Sequence, residues 1–218
     1  MIRSVFLAAA LVLGAGCASA ATLFSADTAT TTAGHHTPSS FGYTAQLIDQ
    51  GSFSTPFVSG VTDFDSFVAS TSATGGTTQY GSFALPLPVN LDFGFSQLLS
   101  LSRLALWNQT GGASVQAFTL LGSASGAFDD LVSLGSYSAV HGNDGQVFTF
   151  GAADLRGIRM SITSNFGSTG TVRLQEVAFG GAVATAAVPL PASLPLLVFG
   201  LASAMACRRR RKTAGSRS

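Results

Sequence analysis

A chain of 218 residues is enough for one domain of sandwich or barrel size, or for two small ones. Hydrophobic residues make up 46% and charged residues 10%, which excludes a charge-rich disordered chain, and 25 glycines with 17 phenylalanines point to a turn-rich β protein. The net charge of +1 divides into +1 for residues 1–20, −6 for residues 21–187 and +6 for residues 188–218, and a lysine-free acidic middle excludes nucleic acid as its partner.

Residues 1–20 carry Arg3, an apolar run from Val5 to about Gly16, and then Ala18-Ser19-Ala20. This predicts a secretory signal peptide read by signal peptidase through Ala18 and Ala20 and cut after Ala20. A lipoprotein signal centred on Cys17 is the alternative, but Gly14-Ala15-Gly16 lacks the large aliphatic residue expected three positions before the cysteine. The run is too short for an uncleaved span of a bilayer about 30 Å thick.

Residues 21–187 are predicted to form one domain. Its opening stretch, 21–80, is loop-rich, with weak strands near Ala45–Ile48 and Phe64–Ala69. His35-His36 lies in a Thr/Ser/Gly/Pro-rich stretch and reads as a solvated loop pair. If Asp63-Phe64-Asp65 were extended, both carboxylates would share one face, and with Asp49 they form a candidate calcium site of hard oxygen donors. From Val89 the pattern strengthens: Val89, Leu91, Phe93 and Phe95 alternate with small or polar residues, and Leu104 and Leu106 lead into Trp107-Asn108. Strands follow at Val115–Leu121, Leu131–Tyr137, Val147–Phe150, Ile158–Ile162 and Thr171–Phe179, with turns at Gly111-Gly112 and at His141-Gly142-Asn143-Asp144-Gly145. About eight strands of five to nine residues predict an all-β fold, an antiparallel β-sandwich or jelly roll. Trp107, Asn108, His141, Asn143 and Asp144 are the candidate ligand-binding residues. For Trp107 the alternative is a core position, which an apolar strand before it favours. Glu176 is expected to pair with Arg159 or Arg173 across strands.

Enzyme signatures are thin. Gly122-Ser-Ala-Ser-Gly126 has Ala124 where a nucleophile elbow needs serine, and no zinc-protease, phosphate-loop or dinucleotide motif occurs. A single glutamate and three histidines leave little for a glycosidase or a transition-metal site. Both cysteines, Cys17 and Cys207, lie in the terminal segments, so the middle domain has no disulfide and must rest on its core.

Residues 188–212 combine a proline motif (Val188, Pro189, Leu190, Pro191, Ala192), an apolar stretch and the cluster Arg208, Arg209, Arg210, Arg211, Lys212, with 213–218 as a short cytoplasmic tail. A plain tail anchor is the alternative reading. This tripartite pattern resembles a PEP-CTERM sorting signal of the VPLPA type, with Leu190 in place of the glutamate of the main family. The resemblance implies a transmembrane sorting helix, an exosortase-type membrane transpeptidase as partner and a Gram-negative host that makes exopolysaccharide.

The middle also resembles a family. LSRLALWNQ (101–109), VQAFTLLGSAS (115–125), VFTFGAADLRGIRMSIT (147–163) and TVRLQEVAFGG (171–181) are similar in order and content to discoidin or coagulation-factor type C domains. Leu47-Ile48-Asp49-Gln50-Gly51 resembles their early turn, while their usual terminal cysteine pair is absent. The resemblance implies a galactose-binding-like jelly roll, with a structural calcium and extracellular polysaccharide as expected ligands. The expected protein is exported to the cell surface or matrix and binds carbohydrate without catalysis. The alternatives are a structural envelope or biofilm-matrix component and a secreted hydrolase.

Overall fold

The computed structural model describes residues 20–34, 43–74 and 80–185. The expectations for the signal peptide up to Ser19, for His35-His36 and for the sorting signal at 188–212 lie outside the described residues. Residues up to Ala184 belong to one compact unit, and a second unit begins at Thr185. Among the described residues, no helix is long and apolar enough to cross a membrane.

Among the described residues nine strands form the domain: β1 (Thr22–Phe24), β2 (Thr28–Thr31), β3 (Gly81–Ala84), β4 (Val89–Trp107), β5 (Val115–Ser123), β6 (Val132–Ser138), β7 (Gly145–Asn165), β8 (Thr171–Leu174) and β9 (Glu176–Val183). Seven make one antiparallel sheet in the order β1-β9-β4-β7-β5-β6, with β2 also on β4, and β3 pairs with β8.

Two strands are far longer than the sequence suggests: β4 has 19 residues and β7 has 21. Each joins two segments that read as separate strands. No proline or glycine-rich turn interrupts either one, so the chain stays extended and bends instead of reversing. The bend falls where the β4–β7 register shifts, between Gly94 and Leu99. It folds the sheet over itself into the two layers of a sandwich. The Val89–Gly94 half lies with β2 and with the Gly157–Ile162 half of β7, and the Leu99–Trp107 half lies with β9. The layers meet through aromatic rings: Phe179 of β9 stands 5.5 Å from Phe93 and 5.1 Å from Phe95, centroid to centroid.

Alternation along β4 directs Val89, Leu91, Phe93 and Phe95 inward, into a core completed by Phe118, Leu120, Ile158, Met160 and Ile162. β9 departs from alternation and is buried along six consecutive residues, Glu176 to Gly181. It lies against β4 on one side and β1 on the other. Gly181 permits this approach, because a Cβ there would stand 2.2 Å from the Ser100 carbonyl oxygen and 2.9 Å from Leu101 Cα.

The opening stretch differs from expectation. Phe64–Ser70 is an α-helix, α1, not a strand. Phe64, Phe67 and Val68 have the i, i+3, i+4 spacing of one helical face, and Asp63 caps the N-terminus by accepting a bond from Ser66 N at 2.8 Å. Thr44–Leu47 is a 3-10 turn, not a strand. The α1 face covers a second apolar cluster built on Trp107, whose ring meets Phe53 edge-on at 4.7 Å and Phe67 at 6.1 Å.

Candidate functional site

The bent course of β4 and β7 brings three turns to one end of the sandwich. These are β4–β5 (108–114), β6–β7 (139–144) and β7–β8 (166–170). Asn108 ties two of them together. Its Nδ2 donates to the carbonyls of Val115 at 2.7 Å and Val140 at 2.9 Å, and its Oδ1 accepts from the backbone N–H groups of Gln109 and Val115, each at 3.0 Å. Both amide hydrogens and both oxygen lone pairs are thereby used, which suits a side chain with no solvent exposure. Ser114 holds the third turn: Phe166 N donates to the Ser114 carbonyl, and Ser168 N donates to that of Gly112.

On this frame stands an aromatic pair. The exposed ring of His141 lies over the half-buried ring of Phe166, with centroids 3.7 Å apart and planes 32° from parallel. Ser114 Oγ lies 2.8 Å from His141 Nδ1 and also bonds the Gly111 carbonyl. A hydroxyl has one hydrogen, and the carbonyl can only accept. The serine therefore donates to Gly111, and His141 Nδ1–H donates to the serine. In the neutral ring His141 Nε2 is then the acceptor, without a protein partner among the described residues. Around the pair, Gly111, Gly142 and Gly167 have positive φ, and a Cβ on any of them would meet nothing within 4 Å. Together these give a flat ring face, an unused acceptor and open space, the elements with which proteins hold a pyranose.

The candidate ligand residues separate accordingly. His141 lies at the surface of this end. Asn143 and Asp144 belong to the same turn but bond the segment that follows α1: the Asn143 carbonyl accepts from Ala73 N, and Asp144 Oδ1 accepts from Ser72 Oγ. Trp107 is fully buried, and its Nε1 donates to the Thr71 carbonyl at 2.9 Å, so no ring face is left for a sugar. Asn108, equally buried, positions the turns and does not reach the surface. Phe166 and Ser114 were not singled out from the sequence. The available signal for Phe166 was an aromatic residue inside the turn-forming run Asn165-Phe166-Gly167-Ser168.

The three aspartates of the candidate calcium site do not converge. Asp63 caps α1, Asp65 pairs with Arg103 at 2.6 Å, and Asp49 Oδ1 accepts from Gly51 N at 2.8 Å. No group of three or more His, Cys, Asp or Glu side chains is placed to hold a metal among the described residues. Asp49 does have a carboxylate neighbour in Glu176. Burial, with a smaller contribution from the Asp49 charge, pushes Glu176 up to about 8 although Ser52 N donates to its Oε1. The pair therefore holds a proton at neutral pH. Its oxygen-only donors also suit a hard cation such as calcium in the proton's place. The expected ion pair of Glu176 with an arginine is not formed. Arg159 instead makes a two-pronged pair with Asp92, directly across from it on β4, at 2.6 and 2.7 Å.

No family model matches the chain, and no curated protein matches it. Its fold is similar to that of several solved structures, sugar-binding modules among them. One is a family 32 carbohydrate-binding module from Clostridium perfringens in complex with GalNAc-β-1,3-galactose, at 11% identity and a TM-score of 0.51, covering 70% of this chain and 93% of that one. Another is a chitosan-binding module of a chitosanase/glucanase from Paenibacillus, at 17% identity and a TM-score of 0.51, covering 74% and 99%. A third is the C-terminal domain of a chitobiase from Bacteroides fragilis, at 14% identity and a TM-score of 0.52, covering 75% and 99%. At such identities the likeness is one of fold. The domain shares a β-sandwich architecture with these structures.

Proposed function

We propose that the chain is an exported, non-catalytic carbohydrate-binding protein of a Gram-negative cell surface or extracellular matrix. Signal peptidase removes residues 1–20, and an exosortase-type transpeptidase processes the segment beginning at Val188 with its Arg208–Arg211 cluster. The ligand is extracellular polysaccharide, engaged at the end of the sandwich where the turns gather. The observation that carries this reading is the exposed His141 ring stacked on Phe166, fixed by Ser114 within turns that Asn108 braces. Such a ring face takes the apolar face of a sugar, while the imidazole acceptor and turn amides take its hydroxyls. The fold likeness to sugar-binding modules adds support by analogy. Calcium belongs to the proposal as a structural ion, with Asp49 and Glu176 as its carboxylates.

The test is retention of the full-length chain on a glycan array and on polysaccharide extracted from the producing cells. His141→Ala and Phe166→Ala should each weaken retention about tenfold or more, at the loss of one aromatic contact and one hydrogen bond. Absence of retention at millimolar sugar, with and without calcium, refutes the binding reading and leaves a structural matrix component. Mass spectrometry of the native mature protein checks delivery: both terminal segments should be missing, and an intact Arg208–Arg211 would reduce the tail to an anchor.

A further inference from the structure

At the other end of the sandwich, where β4 and β7 bend, a recess of about 350 Å³ opens between the start of β2, the bend of β4 and the β5–β6 turn. This lies within the roughly 300–1,000 Å³ typical of ligand pockets. Phe95, nearly buried, lines it together with the hydroxyl residues Thr28, Ser96 and Ser125. Two opposite charges face it, Asp27 and Arg156.

The way these charges are held is informative. Asp27 Oδ2 accepts from Ser96 N at 2.7 Å, and Arg156 Nη1 donates to the Ser96 carbonyl at 2.8 Å. One residue's backbone thus anchors both the anion and the cation. They do not pair with each other: the ion pairs among the described residues are Arg103–Asp65 and Arg159–Asp92. Asp27 Oδ1 and the Nε and Nη2 groups of Arg156 therefore have no protein partner among the described residues. An acceptor and a donor, both held to the backbone of Ser96 and lining the recess with Phe95, match two adjacent hydroxyls of a sugar, one donating to the carboxylate and its neighbour accepting from the guanidinium. Asp27 and Arg156 cancel in charge, so the recess draws an ion of neither sign by net charge.

We propose that this recess is a second saccharide site, taking a neutral pyranose through a pair of adjacent hydroxyls. It rests on the carbohydrate-binding reading only for the class of ligand, and it shares no residue with the His141–Phe166 end. With a site at each end, one domain links two glycan chains.

The experiment is amide-resolved NMR of the full-length chain in detergent, titrated with methyl galactoside and methyl N-acetylglucosaminide, and with sodium glucuronate and glycine as charged controls. The Ser96 and Gly126 amides should shift and saturate with a neutral sugar, both in the native chain and in the His141→Ala/Phe166→Ala double variant. Arg156→Ala should weaken that response about tenfold or more, as expected for losing a charged donor, and Asp27→Asn should do likewise while retaining its acceptor for Ser96 N. Shifts confined to Gly111 and Gly167 overturn the second site and leave the ring pair standing. Shifts confined to Ser96 and Gly126 do the reverse. A response at Ser96 and Gly126 that survives both substitutions, or that only glucuronate or glycine evokes, overturns it as well.

Discussion

Replacing Asn108 by alanine tests whether one buried side chain braces the whole turn-bearing end. The substitution removes two donated and two accepted hydrogen bonds, to Val115 N, Val115 O, Val140 O and Gln109 N. Val115 is fully buried, so water does not readily replace what is lost there. A net hydrogen bond contributes roughly 1 kcal/mol, and a buried group left unsatisfied costs about 1–3 kcal/mol. With two of the four partners on buried Val115, the loss is on the order of 3–5 kcal/mol. In a domain of this size, 1 kcal/mol moves the melting temperature by about 2–4 °C. Thermal or urea unfolding should therefore show Asn108→Ala melting roughly 10 °C or more below the parent. Asn108→Asp should fare no better, because its carboxylate faces the Val115 and Val140 carbonyls where donors stood. Sugar retention should fall even at temperatures where the variant stays folded. A shift within about 2 °C for Asn108→Ala, with retention intact, would refute the reasoning.

Glu176 sets a pH dependence with a defined sign. Its folded value of about 8 lies above the ordinary 4.5, so the folded state holds a proton that the unfolded chain has released, and stability should fall as pH rises from about 4.5 to about 8. The full fall is on the order of 5 kcal/mol. Denaturation series in chelator should show it in the parent and a nearly flat profile in Glu176→Gln; equal slopes would contradict the assignment. Calcium, by taking the proton's place, should raise the parent's melting temperature at pH 8 and leave that of Glu176→Gln unmoved, and an unchanged parent melt removes the ion from the proposal. Gly181→Ala places a methyl against the backbone of Ser100 and Leu101 and should destabilise by about 3 kcal/mol or more, whereas Gly151→Ala, which meets nothing within 4 Å, should stay within about 0.5 kcal/mol. Comparable melts for the two variants would count against the close packing of β9.

Much of the architecture is legible in periodicity. Val89 to Phe95 and Ile158 to Ile162 alternate because one face of each strand is buried, and the all-β class follows from that alone. The bends that join two apparent strands into β4 and β7 are not legible, since a smooth change of direction needs no turn residue. The helix at Phe64–Ser70 was within reach: Asp63 with Ser66 is a capping pair, and Phe64, Phe67 and Val68 have helical spacing. The site was harder. Trp107 carries the chemistry of a sugar platform but the address of a core residue. Phe166 has the converse, an aromatic placed in a polar turn with no core to fill. Asp27 and Arg156 lie far apart in the chain and both reach Ser96 only because β2 and β7 each pair with β4. No local pattern announces such a meeting.

The direction of β9 has a mechanical consequence. It starts at Glu176, beside Trp107 and the gathered turns, and ends at Val183 opposite Leu99, where Ala184 N still bonds the Leu98 carbonyl. Eight strand residues at about 3.3 Å each carry the chain roughly 26 Å from one end of the sandwich to the other. A force applied at Val183 therefore runs along the strand axis, from the end opposite His141 and Phe166. It leaves those rings at the far tip, so a glycan held there would load the sandwich lengthwise, in shear along the β4–β9 ladder.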